Sequence, residues 1–470
     1  MRKMRKYFYF ILLVLSSTAT AFGTELKGYL NTGVWYLKNN LASDPNFITD
    51  DGYGQSYVQG DFALFNANAN FDFLHLNNPS ASTQVSAHLK GRFLYNLLDN
   101  PYSLSPSERY RYQMDEANVQ TESNMMDLWI GRHTVYETGG IGVDGLTGLF
   151  HIKNDQFGIG VFAGLGNDPR TLTGYIGPSY KTDPFTADFY TGGTFAKLHY
   201  DRFQMDIGVS TLLFKKSVDR SNFFTQFHWI ASNAWSFSGF ADAGFMGDKG
   251  LQKALFMITT KMTPKLTNRF SFSEFRSLFY DASNISAIPV PASINPTFDI
   301  GTDVNTTEYY VLRDEIQYRF DRNYIFTGVE FGRRTFDDLN RVKYTLGYFD
   351  PVFLKSEFDF RIQADIIDNY RSFNSSIDLI IGRDFSNEKF RAEIGGTFYA
   401  NERDLYLDNA FISSSNEIEK ETTGRVNFQW NTAYNLSWFL NYAFYKETDV
   451  VNVDQQVLTH EVYLSSNLRF

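Results

Sequence analysis

Residues 63–73 read ALFNANANFDF. Ala63, Phe65, Ala67, Ala69, Phe71 and Phe73 share one parity, and Leu64, Asn66, Asn68, Asn70 and Asp72 share the other. Successive side chains leave a strand on opposite sides, so this alternation marks a β-strand with one face in an apolar medium and one in water. The same period runs outward from this stretch. In 84–97, Val85, Ala87, Leu89, Phe93 and Tyr95 alternate with Gln84, Ser86, His88, Lys90 and Arg92. In 357–366, Phe358, Phe360, Ile362, Ala364 and Ile366 alternate with Glu357, Asp359, Arg361, Gln363 and Asp365. Segments 390–398 and 425–430 repeat the pattern, with Phe390, Ala392, Ile394, Phe398, Val426, Phe428 and Trp430 against Arg391, Glu393, Thr397, Arg425, Asn427 and Gln429.

Soluble sandwiches alternate too, but here charged residues recur mid-strand on the polar face while the other face stays apolar throughout. A polar interior with an apolar exterior is the pattern of a barrel in lipid, where only closure satisfies every backbone group. Mean hydropathy is slightly negative at -0.31, yet 17% of residues are aromatic, with 46 Phe and 29 Tyr. A barrel accounts for both, because lipid sees every second residue and aromatic girdles mark the two interfaces. The expected fold is an all-β, transmembrane, antiparallel up-and-down barrel of roughly 18–22 strands, even in number. Strands over 125–133, 145–152 and 250–262 are the least clearly patterned.

The chain begins with a signal-peptide pattern. Arg2, Lys3, Arg5 and Lys6 precede an apolar run from Tyr7 to Leu15, and Ala19-Thr20-Ala21 supplies small residues for cleavage. The expected division is a signal peptide over 1–23 and a barrel over 24–470. No plug segment is expected ahead of the first strand. Cysteine is absent, which excludes Cys-based zinc, iron–sulfur and c-type haem sites. No cofactor is expected. A formal charge of -10 argues against nucleic acid as a partner.

Tight turns at Asp201-Arg202, Ala231–Ala234, Asp321–Asn323, Ser386–Glu388 and Asn431–Asn435 alternate with longer links at 38–56, 98–108, 167–186, 281–305 and 401–416. These read as periplasmic turns and extracellular loops. Link 281–305 carries Ile285, Ile288, Val290, Ile294 and Phe298 among few charges, and is the first candidate to fold inward, either as a constriction or partner-binding surface or as a lid packed on neighbouring loops. Link 167–186 is the next choice.

By parity, Lys90, Arg92, Arg313, Glu315, Arg319, Glu330, Asp359, Arg361, Arg391, Glu393 and Arg425 face the interior and line a pore. Both signs are mixed, which argues against strong selectivity for one charge. Cross-strand ion pairing that satisfies a polar wall is the plainer role for each.

The hairpin Leu128-Trp129-Ile130-Gly131-Arg132-His133, followed by Gly139 to Gly145, stands apart. A strand ending Gly131-Arg132 and a strand opening Asp144-Gly145 resemble the hairpin of alginate-export-type bacterial porins. His133 stands where that pattern usually has Gln. The resemblance covers about twenty residues and implies a diffusion barrel with Arg132 and Asp144 at the pore or rim. Arg132 shares parity with Leu128 and Ile130, so either the strands bulge or the two residues pair at the extracellular rim.

The last strand ends at Phe470, with Leu468, Leu464 and Val462 on its face and Ser466 among them. It resembles the C-terminal signal read by the outer-membrane assembly machinery. Expected surroundings are outer-membrane lipid and lipopolysaccharide. No H-E-x-x-H or G-x-S-x-G motif occurs, and no enzymatic role is expected. The leading expectation is a porin-like outer-membrane channel for passive diffusion of small hydrophilic solutes. The alternatives are a sheath around a periplasmic or surface protein partner, such as an electron-transfer cytochrome or an export component, and a substrate-specific transporter.

Overall fold

The computed structural model describes residues 25–39, 48–50, 56–58, 62–97, 110–152, 156–167, 185–247, 249–276, 308–335, 339–369, 372–385, 389–403, 406–407, 410–411, 417–433, 435–449 and 456–470. The signal-peptide segment and most of the long links, including 281–305, lie outside them.

Twenty-two strands form one antiparallel sheet. They are β1 (Glu25–Asn39), β2 (Phe62–Leu74), β3 (Thr83–Asn96), β4 (Tyr110–Ser123), β5 (Met126–Val135), β6 (Ile141–Ile152), β7 (Phe157–Asn167) and β8 (Phe185–Tyr200). Then come β9 (Phe203–Phe214), β10 (Ser217–Ile230), β11 (Trp235–Met246), β12 (Gly250–Thr263), β13 (Leu266–Arg276), β14 (Glu308–Arg319) and β15 (Tyr324–Arg334). The wall is completed by β16 (Leu339–Asp350), β17 (Phe358–Asn369), β18 (Ser372–Phe385), β19 (Phe390–Arg403), β20 (Glu417–Ala433), β21 (Leu436–Asp449) and β22 (Gln456–Arg469). Each pairs with its sequence neighbours, and β1 pairs with both β2 and β22. The sheet therefore closes and exposes no edge. Two short pairings lie apart from the wall, Ile48–Asp50 with Ser56–Val58 and Tyr406–Leu407 with Ala410–Phe411.

Closure is completed by the last residue. The Gly28 N–H donates to the Phe470 carbonyl at 2.8 Å, and the Phe470 N–H donates to the Gly28 carbonyl at 3.1 Å. The seam brings Leu468 opposite Leu30 and Leu464 opposite Val34, so its outer face is apolar.

Alternation settles which side faces out. Ile394, Phe398, Leu346, Tyr344, Ile377 and Val161 are all exposed although apolar, and each falls on its strand's outer parity. At the short-turn end the outer face carries an aromatic belt. Trp229 and Phe237 stack at 5.3 Å, Tyr318 and Phe320 meet edge-on at 4.9 Å, and Phe385 and Phe390 lie 5.8 Å apart. Trp430 faces Trp438 across β20 and β21. Such a belt marks a membrane–water interface.

The three least patterned strands all form, as β5, β6 and β12. Their alternation is weak because both faces are apolar. In β6, Leu146 and Phe150 point outward and exposed while Val143 and Leu149 point inward and are buried. In β12 a register shift opposite Asp242 and Ala243 adds to the irregularity.

Candidate functional site in the barrel lumen

β5 and β6 pair with one another from Met126↔Phe150 to Val135↔Ile141. The pairing of β4 with β5 ends at Ala117↔Arg132, although β4 itself begins at Tyr110. Beyond Arg132 the hairpin thus leaves the wall. Its tip, a 3-10 turn over Tyr136–Thr138, packs on β8, β9 and β10. Glu137 forms an ion pair with Lys197 on β8. Gly208 on β9 lies beneath the Glu137 carbonyl and the Thr138 methyl, and Gly139 lies against Phe224 on β10 and Asp242 on β11. These wall positions all have lumen-facing parity. The hairpin tip thus lies inside the barrel, against the inner face of β8–β11.

The hairpin is held there by an apolar cluster. Val135, Val143, Leu149, Phe162 and Phe195 are buried together, with Trp129 and Ile141 packed against them. Val143 is 0% exposed. Burying side chains of this kind stabilises by about 1.5–3 kcal/mol each.

Two rungs let the hairpin turn inward. Gly131 faces Gly145, and Arg132 faces Asp144. Gly131 has a φ of 111°, and a β-carbon there would lie 2.4 Å from the Ala117 carbonyl oxygen. A β-carbon at Gly145 would lie 2.2 Å from the Ala163 carbonyl oxygen. One rung on, Arg132 Nη2 lies 3.2 Å from Asp144 Oδ2, and its Nη1 donates to the Met114 carbonyl at 3.3 Å. Met114 belongs to the part of β4 that β5 has left. No bulge interrupts the β5–β6 register, and the pair sits part-way down the wall where the hairpin departs, not at the rim. His133 Nδ1–H donates to the Gly131 carbonyl at 2.8 Å, and Nε2 meets the Thr147 hydroxyl at 2.6 Å.

The remaining sequence-predicted positions lie on the inner parity of their strands, mostly in ion pairs. Lys90 is 3.7 Å from Glu116, and Arg92 is 3.0 Å from Asp115. Arg313 is 2.7 Å from Glu315, which lies 3.9 Å from Arg269. Glu330 is 2.8 Å from Arg341. Arg391 reaches Asp359 at 2.9 Å, Glu393 at 2.7 Å and Asp384 at 3.1 Å. Arg425 is 2.8 Å from Asp378. Arg319 and Arg361 make no ion pair among the described residues.

Several partners were missed from sequence. Asp115 is the extra residue of a bulge, since Lys90 faces Glu116 while Gly91 faces Met114, and the bulge is what turns Asp115 toward Arg92. Lys343, 3.2 Å from Asp365, and Arg341 alternate with Val342 and Tyr344 on β16, a signal present in the sequence. The lumen therefore has two unlike sides. β13 to β20 present compensated charges, and β7 to β11 are covered by the hairpin and its apolar cluster.

No protein-family profile matches the chain, and no curated protein matches it. Among solved structures, OccAB1 of Acinetobacter baumannii is similar at 9% identity and a TM-score of 0.45, over 95% of this chain and 97% of that one. OccAB2 of the same organism is similar at 9% identity and a TM-score of 0.45, over 95% and 98%. OccK11 (OpdR) of Pseudomonas aeruginosa is similar at 8% identity and a TM-score of 0.41, over 95% and 96%.

Proposed function

We propose that this chain is a porin-like channel of the bacterial outer membrane that lets small hydrophilic solutes diffuse passively, and that it is not an enzyme. One observation carries the reading: a closed, polar-lined barrel is narrowed from within by the anchored β5–β6 hairpin. Twenty-two strands spaced ~4.8 Å apart and tilted ~40° enclose a cylinder roughly 40 Å across, far wider than a small solute needs. The hairpin narrows that opening. The inner-face ion pairs then provide a wettable, nearly neutral lining, with Arg319 and Arg361 as uncompensated positive positions. The Gly131-Arg132 and Asp144-Gly145 pattern supports kinship with alginate-export-type porins. The Phe470 strand supports delivery by the barrel-assembly machinery into lipid and lipopolysaccharide.

A hairpin fixed inside the lumen against β8–β11 takes space that an enclosed partner protein would need, which favours a channel over a sheath. The test is conductance of the purified chain in planar bilayers with neutral polymers of graded size. Stable open steps with a sharp size cut-off are expected. A protein that inserts as a folded barrel yet passes no current sinks the proposal.

A further inference from the structure

Beside the inward hairpin lies a cavity of about 290 Å³. The strands β3 and β4 supply His88 and Glu116 to it, and the hairpin supplies Trp129, His133, Tyr136 and Glu137. Narrowing the lumen does not require it, and its lining has a definite chemistry.

Its walls include flat aromatic surface. Trp129 of β5 and Phe195 of β8 both line it. Tyr136, which is 60% exposed, lines it as well. An aromatic ring presents an apolar face that suits a surface of C–H groups.

Every charge in the lining is balanced by a near neighbour. Glu116 has Lys90 at 3.7 Å and Glu137 has Lys197, while the His88 Nδ1 is hydrogen-bonded with Asp72 at 2.8 Å. The cavity has carboxylate oxygens and hydroxyls to offer, but no net charge with which to draw an ion. A free cation would compete with Lys90 and Lys197 for the same oxygens. A free anion would find no uncompensated Lys or Arg in the lining.

Its volume is at the small end of ligand sites, which run from about 300 to 1,000 Å³. That suits one or two sugar rings and excludes a polymer coil.

A neutral ring with one C–H face and a rim of hydroxyls matches these properties together. Its face lies on the aromatic surface, and its hydroxyls donate to Glu116 and Glu137 in charge-assisted bonds, the stronger kind. We infer that this cavity is a subsite for an uncharged mono- or disaccharide, held at the constriction during passage. This inference rests on the channel reading for its place in transport, but binding itself does not depend on conductance.

The test uses the purified full chain in planar bilayers, with D-glucose and maltose as probes and D-sorbitol as an open-chain polyol that lacks the ring face. Saturable interruptions of the current by glucose or maltose, and not by sorbitol, are expected. The half-blocking concentration should rise at least tenfold in Tyr136→Ala and in Glu116→Gln, with Trp129→Phe giving a smaller rise. Equal block by sorbitol, absence of block, or block unchanged in the variants overturns the subsite. If the bilayer stays silent, the channel reading fails and calorimetry decides the subsite alone. A saturable heat with glucose that is lost in Tyr136→Ala upholds it, and no heat in the parent protein overturns it.

Discussion

Gly131 and Gly145 face each other across β5 and β6, one rung before the pair Arg132 and Asp144. Each lacks a β-carbon where one would strike the neighbouring strand's backbone, Ala117 on one side and Ala163 on the other. The rung works as a crease. Both legs of the hairpin press close to their neighbours there, and the chain beyond it is free to swing into the lumen.

Filling the crease should keep the hairpin from its seat. Gly131→Val adds a branched side chain at a φ of 111° and a clash with the Ala117 carbonyl, a strain of about 1–3 kcal/mol. The wall closes at β1 and β22, far from the crease, so a folded barrel should still form. Single-channel steps larger than those of the parent are expected. Unchanged steps from a correctly folded variant would argue against the hairpin as the narrowing element.

The Arg132–Asp144 pair should show strong coupling. The Arg132 side chain is 9% exposed and that of Asp144 is 37% exposed. Asp144→Ala takes the ion-pair carboxylate from a buried guanidinium, which is a costly kind of loss. Adding Arg132→Met removes that charge, so the double variant should be more stable than Asp144→Ala alone. The expected coupling is about 1–3 kcal/mol, read from thermal unfolding by the gel-mobility shift of the folded barrel. Simple additivity would count against a structural pair.

Cutting the tether at the tip should loosen the aperture without unfolding the wall. Glu137→Gln and Lys197→Met each remove the ion pair, a loss of about 1 kcal/mol. Open-state current noise should increase in both, and the double variant should be no noisier than the noisier single. Noise that simply adds would place the two residues in separate contacts.

Charge selectivity should respond with opposite signs on the ion-paired wall. Arg425→Gln leaves Asp378 without its guanidinium, so the reversal potential in a KCl gradient should move toward K⁺. Glu330→Gln frees Arg341 and should move it toward Cl⁻. Arg361→Gln, which disrupts no ion pair among the described residues, should shift it toward K⁺ as well. Shifts of one sign in all three would contradict the compensated lining.

Removing Phe470 should weaken closure and assembly together. The residue makes two backbone hydrogen bonds with Gly28, and its ring lies 5.6 Å from that of Phe71. A truncated chain should reach the outer membrane in several-fold lower amount, measured as the heat-modifiable fraction. Normal assembly would leave Phe470 a packing residue only.

The wall was legible because two solvents impose period two on nearly every strand. Ala63 to Phe73 show it in full, and their register against β1 and β3 follows the same parity. The inward hairpin was legible only as an anomaly. Arg132 falls on the parity of Ile130, which faces lipid, because that face of the strand changes surroundings once the chain leaves the wall. Parity reports which side a residue is on, and it carries no sign of where a strand stops belonging to the sheet. Val135 and Val143 lie just beyond the weakly patterned segments 125–133 and 145–152, and they belong to an internal core. The bulge at Asp115 was hidden for a related reason, since one extra residue exchanges the faces above it.

The apolar cluster under the hairpin has a consequence for how such a barrel can vary. It fastens the hairpin to one arc of the wall, β7–β10, and among the described residues the salt-bridged arc from β13 to β20 carries no such cover. The hairpin and most of the ion-paired lining thus belong to different stretches of one chain, with Lys90–Glu116 and Arg92–Asp115 as the pairs that lie on the hairpin's side. Substitutions in the hairpin or its seat on β7–β10 would reset the narrowing, and substitutions from β13 to β20 would reset most of the charged lining. The two properties can drift separately, and a single scaffold can be retuned in either without disturbing the other.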